Sequence, residues 1–318
     1  MNIDVSVIIP AWNLEHTLPK AIDSVIKQDF KGSVEIVVVL SESDDNTFGV
    51  AKDLQKQHSN IVIVESDRRN PAYNRILGVR HAKGKYVVFL DADDYYRSDY
   101  LQVMFDEIEK GYDIVNCSFN VVKNGKVSKN ILTKVKEYDS IGACKALLND
   151  FTMRAFLPTK IFRKELLDDD AVPYCRSTNV SFEDLPICFY AFMKAKKVKA
   201  IKNPLYYYVN NPTSSTKTVS GRRFQDHLYS FALVRAMADL NSDSRYPKVF
   251  RQTILRSKAS LWFDGHISRK VLGHGGFKEL RLNKSTIKTL CSKEKVDVNK
   301  LPMKDFINEC LTPFNYKK

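Results

Sequence analysis

Residues 86–94 read Tyr-Val-Val-Phe-Leu-Asp-Ala-Asp-Asp, an apolar run followed by three carboxylates within four positions. The run has the length of a buried strand, and it is apolar throughout as expected where both faces of a parallel sheet are covered. The carboxylates of Asp91, Asp93 and Asp94 are ionised at neutral pH and repel one another, and a divalent cation relieves that repulsion. The segment predicts a strand that ends in a Mg²⁺ or Mn²⁺ site. On these residues alone, an acidic turn before a helix is the alternative.

Further apolar runs lie on both sides of this segment and alternate with stretches of helical spacing. Besides residues 86–90, the predicted strands are residues 5–9, 34–40, 61–64 and 114–119. Asn70 and Pro71 predict the start of one helix, because Asn caps helices well and Pro suits the first helical position. The alternation predicts an α/β fold with a mostly parallel sheet and helices on both faces. Ligands of such sheets bind beyond the carboxyl ends of the strands.

The pattern changes after residue 120. Asn124-Gly125 predicts a tight hairpin turn, and residues 140–149 and 183–195 have helical spacing. Residues 198–201 and 205–209 predict two strands joined through Asn203-Pro204. We place a domain boundary near residue 220, because residues 221–318 have a helical and basic character.

The formal charge of +13 is unevenly distributed. Residues 1–110 hold 13 Lys and Arg against 18 Asp and Glu, whereas residues 111–318 hold 37 against 19. The basic residues 221–318 are interpreted as a peripheral membrane contact, an acceptor-binding arm, a homo-oligomer interface or an ordinary solvated surface. No nucleic-acid recognition motif accompanies the charge, so nucleic acid is not expected as a partner.

Several classes of protein are excluded by absent motifs. The six cysteines show no C-x-x-C pair, which favours free thiols in a reducing cytoplasm. The N-terminus lacks the pattern of a signal peptide, and no apolar run approaches the length of a membrane span. The dinucleotide G-x-G-x-x-G, the P-loop and the hydrolase G-x-S-x-G are all missing. We therefore expect a cytoplasmic protein, either free or peripherally bound at the inner face of the membrane.

Six stretches of sequence, in the same order, resemble family 2 glycosyltransferases. Residues 5–13 are similar to the opening S-[IV]-I-[IV]-P-x-[YF]-N, and residues 83–94 are similar to G-[EK]-Y-[IV]-x-F-L-D-x-D-D. The remaining four stretches match the family's C-L-x-S-[IVL]-x-x-Q helix after the opening, its N-K-[LI]-[YF] segment, its [YF]-E-D motif and its P-L-Y-x-Y strand: residues 21–28, 159–165, 182–184 and 204–208. The resemblance covers residues 3 to about 217 and leaves the last hundred residues unassigned.

This resemblance implies a GT-A fold, which is a Rossmann-like, mostly parallel sheet with flanking helices. Residues 1–220 would form the GT-A domain, with a nucleotide-donor half in residues 1–110 and an acceptor half in residues 111–220. The implied activity is a metal-dependent hexosyl transfer with inversion, from a nucleotide sugar such as a UDP-sugar to a hydroxyl of a glycan or polyprenyl-linked acceptor. Bacterial surface-polysaccharide synthesis is the implied setting.

The resemblance also implies roles for the acidic residues. Asp93 would be the principal metal ligand, assisted by Asp91 and Asp94. Asp91 would reach the nucleotide ribose, and Ala92 is counted with it among the donor-binding residues. In the Glu183-Asp184 pair, Asp184 is the expected catalytic base and Glu183 the second choice; from the residues alone, a helix N-terminal acidic pair is the alternative.

Five residues are expected at the nucleotide. The resemblance implies that Pro10, Trp12 and Asn13 line the pocket of the base. Glu15 would contact the nucleotide, cap a helix or face solvent. Arg75 would contact a phosphate or the nucleotide pocket, or form a surface salt bridge.

One departure from the family pattern concerns the base pocket. Leu40 and Ser41 stand where the family has two Asp residues, one of which accepts a hydrogen bond from the uracil imide. Ser41, Glu42 or Asp44 would then serve the base, and Asp45 would cap the next helix. The departure leaves three alternatives open: an altered uridine pocket, another base, or a catalytically impaired binding or scaffold protein on the same fold. A nucleotidyltransferase is disfavoured, because a glycine-rich loop after the first strand is missing.

Overall fold

The computed structural model describes residues 3–149, 153–167 and 182–210, together with short pieces between residues 230 and 249. The predictions of a boundary near residue 220 and of a helical region 221–318 lie almost wholly outside the described residues. Within that region, the described Leu233, Met237 and Val249 are buried and belong to the core, as their apolar spacing predicts.

The described chain forms one ten-stranded sheet. Its strands are β1 Val5–Ala11, β2 Val34–Ser41, β3 Ile61–Ser66, β4 Tyr86–Phe89, β5 Tyr95–Tyr96, β6 Ile114–Lys123, β7 Lys126–Ile131, β8 Lys136–Tyr138, β9 Lys160–Arg163 and β10 Val198–Val209. The main order is β3-β2-β1-β4-β9-β6-β10-β5, with β7 paired to β6 and β8 paired to β10. Neighbours among β3, β2, β1 and β4 are parallel, as are β6 and β10, while β9 is antiparallel to both β4 and β6.

Helices cover both faces of the sheet. They are α1 Leu18–Ile26, α2 Thr47–Gln57, α3 Pro71–His81, α4 Tyr100–Ile108, α5 Ser140–Asn149 and α6 Asp184–Lys194. Alternate residues of each strand point to opposite faces. In β1, Val7 joins the core under α1 and α4, whereas Ile8 joins the core under α3, α5 and α6. The arrangement confirms the predicted α/β sheet with helices on both faces. In the described chain, four of the nine strand pairings are parallel and five are antiparallel.

The start of α3 illustrates how the sequence produces these elements. The Asn70 side chain accepts a hydrogen bond from the Tyr73 N–H, and Pro71 occupies the first turn, as predicted. Gly78 lets α3 lie close to the sheet, because a Cβ at this position would be 2.4 Å from Ile8 Cγ2. The close approach places the N-terminal turns of α3 beside the carboxyl ends of β1 and β2.

Two strand predictions need correction. Pro10 does not end β1; it lies in the strand opposite Val39, and pairing continues to Ala11. Residues 198–201 and 205–209 are not separate strands, because β10 runs through Pro204 with shifts of register on either side of it. A bulge tolerates proline, which has no N–H to donate, and the Pro204 carbonyl accepts a hydrogen bond from Asn120 Nδ2.

The two predicted halves of the domain share this sheet. Strand β9 lies between β4 of the first half and β6 of the second. The predicted hairpin turn joins β6 to β7, with positive φ at both Asn124 and Gly125, as a tight turn of this kind requires. The acidic and basic halves are therefore continuous through backbone hydrogen bonds.

Candidate active site

The segments that follow β1, β2 and β4 meet at one edge of the sheet. Asn13 has a left-handed backbone conformation, with φ of 54°, and its side chain bridges the first two segments. Its Oδ1 accepts a hydrogen bond from the Asp44 N–H at 2.8 Å, and its Nδ2 donates to Asp44 Oδ2 at 3.2 Å. Asn13 and Asp44, both predicted to bind the nucleotide donor, are thus hydrogen-bonded to each other and fix the segments after β1 and β2 relative to one another.

A buried arginine connects α3 to two acidic segments. The Arg75 side chain is 6% exposed; its NH2 lies 2.7 Å from Asp91 Oδ1 and its NH1 lies 2.5 Å from Glu183 Oε1. NH1 is also 3.7 Å from Asp184 Oδ1. Although burial opposes the charge, these three carboxylates hold the pKa of the guanidinium well above its usual value. Arg75 is therefore a buried link between carboxylates, which corrects the surface salt bridge that we considered.

The predicted catalytic pair lies at the start of α6. Phe182, the residue before the pair, has a left-handed φ of 61°, which costs about 1–3 kcal/mol for a non-glycine residue and is typical of functional sites. Asp184 Oδ2 accepts a hydrogen bond from the Leu157 N–H at 3.4 Å, whereas Oδ1 is buried without a hydrogen-bond partner in the described part of the chain. Burial raises the pKa of Asp184 to about 7, against the lowering effect of Arg75. Asp184 thus combines a buried oxygen that has no hydrogen bond among the described residues and lies 3.7 Å from Arg75 NH1 with a pKa in the range of an effective general base.

Asp93 lies close to Asp91 and has no cationic side chain bonded to it among the described residues. Burial, together with the charge of Asp91, raises the pKa of Asp93 to about 6. Asp91 accepts a hydrogen bond from Arg75 NH2 through Oδ1 at 2.7 Å. Two carboxylates under mutual repulsion fit a divalent cation that completes its shell with water and substrate phosphate oxygens. The described residues contain no group of three or more Asp, Glu, His or Cys side chains that would enclose a cation without such ligands.

Asp94 is held by β10 and does not share this arrangement. The side chain is buried; its Oδ2 accepts a hydrogen bond from the Tyr206 hydroxyl at 2.6 Å, and its Oδ1 accepts one from the Val209 N–H at 2.6 Å. Burial, with the charges of Asp93 and Asp91, raises the pKa of Asp94 well above its usual value. Because donors occupy both oxygens, the geometry favours a role in docking β10 over the predicted metal ligation.

Ser41 belongs to a buried network and not to an open pocket. Its Oγ donates to the Arg68 carbonyl at 2.9 Å and accepts a hydrogen bond from Asn74 Nδ2 at 2.7 Å. Asn74 Oδ1 in turn accepts a hydrogen bond from Ser66 Oγ at 2.5 Å. The Ser41 hydroxyl is therefore used to fix the segment before α3, which argues against its predicted contact with the base.

An exposed tryptophan lies at the part of the edge where the sequence predicts the pocket of the base. Trp12 is 46% exposed, and the Arg69 guanidinium lies 5.4 Å from the centre of its ring. Arg69 NH2 is also 3.6 Å from Asp44 Oδ1. Pro10 is partly buried directly before this group. An exposed indole beside a guanidinium offers a surface on which a planar base can stack. Sequence reasoning missed Arg69, since nothing in the sequence indicated its position over Trp12.

Two other predicted donor residues have local structural partners. Glu15 Oε2 accepts a hydrogen bond from the Asn46 N–H at 2.8 Å at the start of α2, which matches the capping alternative. Asp45 also caps this helix, as predicted, because its Oδ1 accepts a hydrogen bond from the Thr47 N–H at 3.0 Å. Ala92, between Asp91 and Asp93, is 1% exposed, which leaves almost no surface for its predicted contact with the nucleotide donor.

Lys160 is a second buried cation that the sequence did not reveal. Its side chain is fully buried, and Nζ donates to the Arg154 carbonyl at 2.6 Å and to the Phe156 carbonyl at 2.9 Å. Burial lowers the pKa of this ammonium. Lys160 fixes the turn that carries the Leu157 N–H, and therefore supports the oxygen of Asp184 to which that N–H is bonded. The one indication in the sequence was that Lys160 lies within residues 159–165, the stretch that resembles the family's N-K-[LI]-[YF] segment.

The motifs on these segments match a known family model. The model described as "Glycosyl transferase family 2" matches residues 6–176, more than half of the 318 residues. The chain belongs to glycosyl transferase family 2. The matched range includes the segments after β1, β2 and β4, whereas Glu183 and Asp184 lie just beyond it.

Similar proteins include bacterial glycosyltransferases. The chain is 27% identical over 235 residues to the uncharacterized glycosyltransferase EpsJ of Bacillus subtilis, covering 70% of this chain and 66% of EpsJ. It is 34% identical over 169 residues to the GalNAc(5)-diNAcBac-PP-undecaprenol beta-1,3-glucosyltransferase of Campylobacter jejuni, covering 52% of this chain and 53% of that enzyme. The match to the poly(ribitol-phosphate) beta-N-acetylglucosaminyltransferase TarS of Staphylococcus aureus is 27% identical and covers 74% of this chain and 41% of TarS. The chain thus spans less than two thirds of each of these three relatives.

Solved structures support the GT-A fold of this family 2 member. Residues 1–349 of S. aureus TarS in complex with UDP-GlcNAc superpose with a TM-score of 0.60 at 19% identity, over 84% of this chain and 88% of that one. The mannosyltransferase PcManGT of Pyrobaculum calidifontis, in complex with GDP-Man and Mn²⁺, gives a TM-score of 0.57 at 19% identity, over 98% of this chain and 86% of that one. At this level of identity the likeness concerns the fold alone. In the described part of the chain, none of the helices has both the length and the apolar character needed to cross a membrane.

Proposed function

We propose that this protein is a metal-dependent inverting glycosyltransferase that moves a sugar from a UDP-sugar to a hydroxyl of a glycan or polyprenyl-linked acceptor. The observation that carries the proposal is the joining of two acidic segments at one sheet edge. Arg75 holds Asp91 of the metal segment against Glu183 and Asp184 of the predicted base pair. Chain segments that are distant in sequence thus bring a diphosphate site and a general base together.

Asp184 is proposed to remove the proton from the acceptor hydroxyl. Its Oδ1 is free of hydrogen bonds in the described structure, while Oδ2 is oriented by the Leu157 N–H. Deprotonation makes the acceptor oxygen a nucleophile for the anomeric carbon, on the face opposite the departing nucleoside diphosphate. A base in this position contributes about 10²–10⁴ in rate.

Asp91 and Asp93 are proposed to hold a Mn²⁺ or Mg²⁺ ion with the diphosphate of the donor. When bound, such an ion stabilises the negative charge that grows on the leaving diphosphate. Arg75 NH2 donates to Asp91 Oδ1 at 2.7 Å, and this contact is proposed to fix the orientation of Asp91. Asp94 is assigned to positioning this segment against β10.

The uridine base is proposed to stack on Trp12, whose ring is 46% exposed beside Arg69. The structure of TarS with UDP-GlcNAc supports a uridine donor, whereas the PcManGT complex holds GDP-Man. Because Ser41 is buried in its own network, Glu42 and Asp44 remain the acidic candidates for a base contact. The names of the relatives support a surface polymer or an undecaprenyl-linked acceptor, and we propose that the enzyme works at the cytoplasmic face of the membrane.

The direct test measures nucleotide release from a panel of UDP- and GDP-sugars, with and without Mn²⁺. We expect turnover with a UDP-sugar and none after metal chelation. Asp184→Asn is expected to lower transfer by about 10²–10⁴ while donor binding stays unchanged. Asp53→Asn is a matched control, because Asp53 is an exposed carboxylate on α2 paired only locally with Lys56. Nucleotide binding without transfer under any condition would instead favour a binding protein that has lost catalysis.

A further inference from the structure

An exposed strip of the chain, residues 123–136, carries a dense positive charge. It consists of the β6–β7 turn, β7 and the segment that leads to β8. Five of its residues are exposed lysines, Lys123, Lys126, Lys129, Lys134 and Lys136, and residues 114–136 contain no Asp or Glu. No acidic side chain of the described structure forms a salt bridge with any of the five.

The same strip exposes aliphatic side chains. Val127 is 51% exposed, Leu132 is 42% exposed and Val135 is 62% exposed. Only Trp12 and Phe48 are comparably exposed among the large hydrophobic residues that the structure describes. Between these side chains, Thr133 is buried and its N–H donates to Ser118 Oγ at 2.8 Å. The strip is thus anchored to the sheet while its apolar and basic groups face outward.

The strip begins beside the candidate active site. Val127 pairs with Val122 of β6, and Val122 pairs with Val209 of β10. The Val209 N–H is the donor that holds Asp94 Oδ1. Since neighbouring strands are about 4.8 Å apart, Val127 lies about 10 Å from the backbone that holds the acidic segment.

We propose that residues 123–136 form a surface that docks on a bilayer containing anionic lipids. The lysines supply attraction to lipid phosphates, and the aliphatic side chains enter the boundary between headgroups and acyl chains. A soluble polyanion would account for the lysines but would leave three aliphatic side chains in water. This surface is separate from residues 221–318, and the inference does not depend on the activity proposed above.

The test compares retention of the full chain on vesicles of phosphatidylcholine alone and of phosphatidylcholine mixed with phosphatidylglycerol. We expect retention on the anionic vesicles only, and its loss at high salt. The variant Lys123→Gln/Lys126→Gln/Lys129→Gln should bind about 100-fold more weakly, since each lysine near the surface contributes about fivefold. The matched control Lys31→Gln/Lys145→Gln/Lys196→Gln removes the same charge from exposed sites elsewhere and should bind like the unmodified protein.

A second variant tests the apolar contribution. Val127→Ser/Leu132→Ser/Val135→Ser keeps every charge and should weaken binding to anionic vesicles about tenfold or more. Circular dichroism and thermal melting check that all variants keep the fold.

Several results would overturn the proposal. If either strip variant were retained as well as the unmodified protein, residues 123–136 would not be the membrane-binding surface. If the lysine control lost as much binding as the lysine variant, the net charge of the protein would account for the effect. Retention on neutral vesicles equal to that on anionic ones would exclude the electrostatic attraction. If the unmodified chain ignored vesicles but bound soluble polyphosphate through these lysines, the strip would be a polyanion site and not a membrane surface.

Discussion

Replacing Arg75 with methionine should strongly destabilise the fold. The guanidinium is 6% exposed and faces three carboxylates that are 25%, 13% and 20% exposed, those of Asp91, Glu183 and Asp184. Methionine keeps much of the volume but leaves these acids without their shared cation. Removing one partner of a buried ion pair typically costs about 3–5 kcal/mol, because an uncompensated charge remains in the interior. We expect Arg75→Met to lower the free energy of unfolding by that amount at pH 8, measured by urea denaturation.

The destabilisation should decrease at lower pH. Burial raises the pKa of Asp184 and Arg75 lowers it, so without Arg75 that pKa should lie further above its unfolded value, and the folded state should bind more protons than the unfolded state. Stability then falls as pH rises, and the difference from the unmodified protein should be smaller at pH 6 than at pH 8. Burial already raises the pKa of Asp184 to about 7 with Arg75 present, so that acid is the first expected to take up a proton.

A double-mutant cycle tests the cause of this loss. Glu183→Gln in the Arg75→Met background removes one unpaired charge and should restore part of the stability, with a coupling energy of about 1–3 kcal/mol. Arg97→Met is the matched control: Arg97 is 31% exposed and pairs with Asp99, which is 41% exposed. That substitution should cost no more than about 1 kcal/mol. An Arg75→Met variant as stable as Arg97→Met, or an absence of coupling to Glu183, would refute the buried-charge argument.

Three further predictions concern the base, the metal segment and the packing of α3. If Asp184 acts ionised with a pKa of about 7, kcat/KM should fall about tenfold per pH unit well below pH 7, and a flat profile from pH 5 to 8 would contradict its role as the base. Asp93→Asn should abolish the increase in UDP affinity that Mn²⁺ produces in calorimetry, and an unchanged Mn²⁺ effect would exclude Asp93 as a ligand. Gly78→Ala should destabilise the fold by about 1–3 kcal/mol despite the better helix propensity of alanine, because its Cβ would lie 2.4 Å from Ile8 Cγ2. A variant more stable than the unmodified protein would show that α3 can move away from the sheet.

The sequence predicted the elements whose signal is local. Uninterrupted apolar runs located the five strands from β1 to β4 and β6, and Asn70-Pro71 located the start of α3. The insertion of β9 between β4 and β6 was not predicted, because it depends on contacts between segments about 75 residues apart in sequence. The continuity of β10 through Pro204 was missed for the same reason, since only the neighbouring strands make a bulge favourable there.

The sequence predicted which residues belong to the candidate site, but not the contacts between them. The motifs identified Asp91, Asp93 and Asp184, yet the contact between Arg75 and Glu183 joins residues 108 positions apart. Similarly, Ser41 was a reasonable candidate for the base because it follows a strand. Its use by Asn74 and the Arg68 carbonyl becomes visible only when α3 is packed on the sheet.

The charges at the site favour binding of the donor through a metal cation over direct binding of the donor by Arg75. Four carboxylates, those of Asp91, Asp93, Glu183 and Asp184, surround a region in which Arg75 is the one buried guanidinium among the described residues. Arg75 is 6% exposed and its NH1 and NH2 contact the acids that it orients, so among the described residues only the buried Nε is left without a hydrogen-bond partner. An anionic donor entering this edge would meet uncompensated negative charge. Burial, together with the charge of Asp91, already raises the pKa of Asp93. A divalent cation between Asp93 and the donor reverses the sign of the interaction. The arrangement therefore favours donor binding that depends on metal, with Arg75 preserving the acid geometry in its absence.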